Sequence, residues 1–166
     1  MSKLSSIAAR SGHARNRMSY LTLLLTLVMT VSESTGAPGP RLTHLDELRW
    51  SHRVILVFAP GPQASRAAAN LADFAVGIED RDIVWFVLDG DTLRSNYPGT
   101  LGDTLPEQLL ERYFSPLPAG TSVVLIGKDG GVKSRSTDLD LEATFGLIDQ
   151  MPMRRREMQR RQDEMD

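Results

Sequence analysis

The sequence of 166 residues predicts an α/β fold: a central mixed sheet of about four strands flanked by helices, a βαβ half followed by a ββα half. Three observations carry this reading. Residues 54–59 and 83–88 are apolar without alternation, as strands buried on both faces require. An alanine-rich helical pattern joins the two runs, which makes a right-handed crossover between parallel strands. Residues 121–126 and 132–136 flank Gly127-Lys128-Asp129-Gly130-Gly131, a turn containing Asp-Gly that returns the chain antiparallel.

Taken in order, residues 1–37 read as a signal peptide. Lys3, Arg10, Arg15 and Arg17 form a basic region without an acid, and an apolar stretch at 21–31 follows. That stretch is shorter than the roughly 20 residues of a spanning helix. Small residues come next, Ser32, Ser34, Thr35, Gly36 and Ala37. Thr35 and Ala37 fit a cleavage site, although Pro38 would then follow the cut, so an earlier cut is equally open. The expected location is periplasmic or secreted; an uncleaved N-terminal anchor is the alternative, and Met18 is a second candidate start. No cysteine is available for lipidation.

Residues 38–41 read as a linker and 42–151 as the domain. A short helix over 43–50 feeds the first strand. The following helix spans 64–78, with Ala64, Ala68, Leu71, Ala75 and Ile78 at helical spacing and Phe74 beside them. Glu79-Asp80-Arg81-Asp82 reads as a solvated turn, and 92–105 as a loop. Thr104 is placed to cap a helix that starts at Pro106 and ends near Phe114. Asp140 caps a last helix with Leu141, Phe145, Ile148 and Met151 on one face, and Pro152 interrupts it. Residues 152–166 form a charged, arginine-rich helical tail. This element order is the thioredoxin-like plan.

Composition narrows the chemistry. The chain has no cysteine, so disulfides, thiol catalysis and cysteine-ligated metals are excluded. Residues 38–150 hold ten Lys/Arg against sixteen Asp/Glu, a net of −6, which argues against a nucleic-acid partner. Laying the redox pattern of the fold along 58–65 puts Pro62 and Ser65 at the two cysteine positions, and neither forms a thiolate. The loop Pro60-Gly61-Pro62-Gln63 is therefore a helix-entry turn or an anion or peptide-backbone site on a helix N-terminus, with Gln63, Ser65 and Arg66 as donors.

Asp89 and Asp91 end a central strand, but the calcium-loop pattern is missing and the reading is a solvated turn. His44 and His52 fit no metal-ligand spacing. No Gly-x-Ser-x-Gly elbow occurs. The sequence points to no catalytic residue, no metal and no cofactor. In the tail, Arg154, Arg155, Arg156 and Met158 are candidate partner contacts, with Glu157 paired to Arg161 at i, i+4. The tail is otherwise a solvated helix end, or it docks on the acidic body, an acidic partner or an anionic membrane surface.

The stretch VVLIGKDGGVKSRSTDLDLEATFGLIDQMPMRRREM from Val123 resembles a known family. It is the thioredoxin/peroxiredoxin-like domain of unknown function of short exported bacterial proteins, related to a domain of animal sushi-repeat-containing and coiled-coil-domain extracellular matrix proteins. The resemblance covers about residues 42–160; RVILVFAP at 53–60 and Glu79-Asp80-Arg81-Asp82 fit it more loosely. It implies a thioredoxin-like fold, an extracytoplasmic location and no catalytic residues to carry over. The expected function is a non-catalytic binding or structural module of the cell envelope, with no stable membrane span after signal cleavage and another protein or an envelope component as partner. The alternative is an accessory of a redox pathway that acts without thiols of its own.

Overall fold

The structure is a computed structural model and describes residues 39–166. The expected signal peptide lies outside the described residues. A five-stranded sheet forms the centre, in the order β4-β3-β2-β6-β7. The strands are β2 (Arg53–Phe58), β3 (Ile83–Asp89), β4 (Thr92–Ser95), β6 (Ser122–Ile126) and β7 (Val132–Ser136). β2 and β3 run parallel, while β6 is antiparallel to β2 and β7 to β6. Two short strands, β1 (Arg41–Leu42) and β5 (Thr100–Leu101), pair with each other beside the sheet. The βαβ and ββα halves meeting along β2 and β6 make this a thioredoxin-like fold.

The unbroken apolar strands are buried on both faces, and each face has its own helices. On one, Leu56, Phe58, Phe86 and Val124 meet a 3-10 helix (Leu45–Leu48) and α3 (Leu105–Tyr113) through Leu45, Leu48, Leu105 and Leu109. On the other, Ile55, Val57, Val87 and Leu125 meet α1 (Pro62–Asp73), α2 (Ala75–Asp80) and α4 (Leu141–Asp149). Ala64, Ala67, Leu71, Ile78, Leu141 and Ile148 are buried there. A Cβ on Gly77 would stand 2.7 Å from the Phe145 ring, so glycine permits the approach of α2 to α4. The Asp140 side chain caps α4 by accepting the Ala143 N–H at 2.9 Å.

Several expectations need correction. Residues 92–105 are not simply a loop, because Asp89, Gly90, Asp91 and Thr92 form a two-residue hairpin with Gly90 at φ 56°, and β4 follows. The single helix expected over 64–78 is two, broken at Phe74; the break turns Ala75 outward. The helix expected from Pro106 starts at Leu105, and the Thr104 hydroxyl accepts from the Gln108 side chain at 3.0 Å instead of capping it. The tail forms α5 (Pro152–Asp163), with Pro152 in its first turn. No helix among the described residues is long and apolar enough to cross a membrane.

Candidate functional site

The carboxyl ends of β2 and β3 carry the loop that the sequence singles out. Ala59 continues the sheet through its N–H to Leu88 O at 3.0 Å, and the chain then turns through Pro60 and Gly61 into α1. The N–H of Gly61, at the helix N-cap, donates to Asp89 Oδ1 at 2.9 Å. That carboxylate sits where an incoming anion would meet the positive end of the helix dipole. Pro62, the next residue, has no N–H to offer.

The three expected donors are exposed and stand on α1, but their polar atoms do not converge. Gln63 Oε1 accepts the Thr121 hydroxyl at 2.9 Å. The Ser65 hydroxyl accepts from Arg94 Nη1 at 2.9 Å. Arg66 lines an open recess with Gln63, Asn70, Thr121 and Asp138. The anion site expected from these residues is thus occupied at its backbone end by Asp89 and dispersed at its side-chain end. His44 Nδ1 lies 2.9 Å from Gln108 Oε1, and His52 Nδ1 lies 2.9 Å from Ser51 Oγ.

The amino ends of the same strands hold a denser arrangement. Arg53 opens β2 with only 1% of its surface exposed, and its Nη2 reaches both carboxylate oxygens of Glu157 on α5, at 3.1 and 3.3 Å. Lys128, in the turn after β6, bridges Glu157 at 2.9 Å and Asp82 at 2.8 Å. These four groups form a closed set of two cations and two anions.

A second set adjoins it. Arg81 forks onto Asp149 through Nε at 3.0 Å and Nη2 at 2.6 Å. The Arg81 guanidinium also lies 4.5 Å from the centroid of the Phe145 ring. Arg154, 3% exposed, reaches Asp149 Oδ1 at 3.1 Å and the Asp80 carbonyl at 2.6 Å, and its Nη2 contacts the Asp80 carboxylate. Arg161 pairs with the same carboxylate. Arg53 links the two sets through Nη1 to the Arg81 carbonyl at 2.8 Å.

Burial pushes the Asp80 carboxyl up, but the hydrogen bonds and charge of Arg161 and Arg154 outweigh it and hold the group below its ordinary value. At Asp149, burial again acts upward, and Arg81 and Arg154 win in the same way. No buried side-chain nitrogen or oxygen among the described residues lacks a hydrogen-bond partner. The arrangement is a clamp between α5 and the sheet, with no open coordination position and no free nucleophile.

The four residues marked in the tail therefore separate. Arg154 faces inward and is spent on Asp80 and Asp149; Met158 is half-buried; Arg155 and Arg156 are exposed. Glu157 does not pair with Arg161 along the helix, because Arg53 and Lys128 claim it while Asp80 claims Arg161. Glu79-Asp80-Arg81-Asp82 is no solvated turn either, since three of its residues serve the clamp.

The residues missed in the sequence are Arg53, Asp80, Arg81, Asp82, Lys128 and Asp149. Their signal was positional. Each lies next to a strand or helix end that the element order puts at one end of the sheet.

Among solved structures, the mitochondrial 2-cys peroxiredoxin from Plasmodium falciparum matches with 12% sequence identity, covering 63% of this chain and 78% of that chain, at a TM-score of 0.45. No curated protein matches the sequence. One family model does, over residues 44–157. Its span runs from the threshold of the first helix to the glutamate that closes the clamp. The chain belongs to the family described as "Domain of unknown function (DUF4174)".

Proposed function

We propose that the chain is an exported, non-catalytic thioredoxin-like module that binds another protein or a component of the cell envelope. The observation that carries this reading is the loop from Pro60 to Gln63. It stands where this plan presents reactive groups, it has no thiol, and the Gly61 N–H at its helix N-cap donates to Asp89. Without a thiolate the chain can neither attack a disulfide nor reduce a peroxide by itself. Export is supported by the basic and then apolar composition of residues 1–37. Binding is supported by α5, which the clamp fixes as a rigid element while Arg155 and Arg156 stay exposed.

Mass spectrometry of the native protein tests export, with residues 1 to about 36 expected to be absent. A cytoplasmic form that keeps them contradicts it. Insulin reduction and peroxide consumption are expected at the blank rate, and turnover by the pure chain contradicts the non-catalytic reading.

A further inference from the structure

We propose that the end of the domain formed by Trp50, the turn after β6 and α5 is a docking site for an acidic segment of a partner protein, which inserts an apolar side chain between the turn and Met151 and Met153. The proposal rests on the binding-module reading above and names its surface and the chemistry of its partner.

A cavity of about 320 Å³ opens between the turn residues Lys128 and Asp129 and the junction Met151-Pro152-Met153, with Lys133 also in its lining. Methionine walls adapt to varied apolar shapes. Interface hot spots are anchors seated in recesses of this kind.

Trp50 stands beside that turn. Its N–H donates to the Lys128 carbonyl at 2.6 Å, its backbone is left-handed at φ 68°, and 64% of its surface is exposed. That conformation is a genuine outlier for a bulky residue. The fold thus accepts a local conformational cost and leaves its largest side chain type in water. Arg49 lies with its guanidinium 5.8 Å from the Trp50 ring centroid. Tryptophan and arginine are the residue types most enriched in hot spots.

The charge of this end selects the partner. Arg156 and Arg160 follow Met153 at i+3 and i+7, so they share its flank of α5. Both are exposed, and neither they nor Arg49 have an ion-pair partner among the described residues. The nearby acids are engaged: Asp129 by Lys133 at 2.6 Å, and Asp82 and Glu157 by Lys128. The acids Asp163, Glu164 and Asp166 lie at the far end of the helix and beyond it. The unpaired charges Arg49, Arg156 and Arg160 at this end of the domain are cationic, which fits carboxylates flanking an apolar residue. A lipid surface would meet the same cations, but it offers no side chain to fill the cavity.

The test places p-benzoylphenylalanine at Trp50, at the exposed Val132 beside Lys133, and separately at Gln63, in the full chain expressed in its native host. After irradiation, the crosslinked segment is sequenced by mass spectrometry. Positions 50 and 132 are expected to capture one and the same protein segment, an apolar residue with Asp or Glu on both sides. The yield is expected to fall at least tenfold in R156E/R160E and by less in R156Q/R160Q, with unchanged denaturation midpoints. Crosslinks to lipid, capture of a segment without acids, or a yield indifferent to the charge reversals would overturn the proposal. So would no capture at positions 50 and 132; if position 63 still captures a partner, the binding-module reading stands, and if all three fail, both fall.

Discussion

The two ends of the sheet use polar groups in opposite ways. At the carboxyl ends of β2 and β3, the contacts Gly61–Asp89, Gln63–Thr121 and Ser65–Arg94 are single hydrogen bonds at exposed positions. At the amino ends, Arg53, Glu157, Lys128 and Arg154 are buried and multiply bonded. Water competes for every group at the first end and is excluded from most of the second. An exposed contact is worth little because solvent replaces it. A buried charge that loses its partner keeps its full desolvation cost. The loop that looks most like a reactive site is thus the tolerant end, and the tail that looks accessory is the end on which the fold depends.

The largest effect is expected at the clamp. Glu157→Gln leaves Arg53 and Lys128 without their shared carboxylate and should destabilise the domain by about 3 kcal/mol in urea unfolding; a loss near zero would mean that α5 is not docked in solution. Arg154→Met removes the inward fork onto Asp80 and Asp149 and should cost about 2 kcal/mol by the same measurement.

Trp50→Asn relieves a left-handed backbone that asparagine tolerates, and a gain of about 1 kcal/mol is expected. At the other end of the sheet, Asp89→Asn, Gln63→Ala and Ser65→Ala should each change stability by no more than about 0.5 kcal/mol. A large loss at any of these three would erase the contrast between the ends.

Acid sharpens the same contrast. Burial depresses the His52 imidazole and Lys128 adds to that, while Asp82 acts upward without winning. A depressed imidazole binds protons more readily in the unfolded chain. Stability from this group is therefore full above its ordinary value near 6.5 and falls as the pH drops toward the lower folded value. His52→Gln should flatten the melting temperature against pH in that window. The carboxyls of Asp80 and Asp149 add a second loss further down. Being depressed, they stabilise the fold above their ordinary value of 3.8, and this is lost as the pH falls through their folded values.

The sheet centre was legible because burial on both faces leaves no room for polar residues in β2 and β3, and their continuous apolar runs say so directly. The Asp140 cap and the Asp129-Gly130 turn are local signals that need no tertiary information. β4 escaped because Thr92-Leu93-Arg94-Ser95 is an exposed edge of alternating burial close to Asn96 and Pro98, although Asp89-Gly90 before it is the same kind of hairpin cue as Asp129-Gly130. The break at Phe74 has no glycine or proline to announce it.

The clamp was the least legible feature. Its members come from positions as far apart as Arg53 and Glu157, and each looks like an ordinary surface charge until topology gathers them. In the tail, composition shows five arginines, but only the phase of the docked helix decides that Arg154 is buried and Arg161, though exposed, reaches Asp80, while Arg155, Arg156 and Arg160 have no ion-pair partner among the described residues.

A double-mutant cycle between Arg53 and Glu157, read by equilibrium urea unfolding, tests the clamp most directly. The variants are Arg53→Met, Glu157→Gln and both together. Partners in a buried ion pair should couple by about 1 to 3 kcal/mol, so the double variant should lose clearly less than the two single losses added. Additive losses, with coupling within about 0.3 kcal/mol of zero, would show that the two side chains do not meet and would contradict the docking of α5 on the sheet.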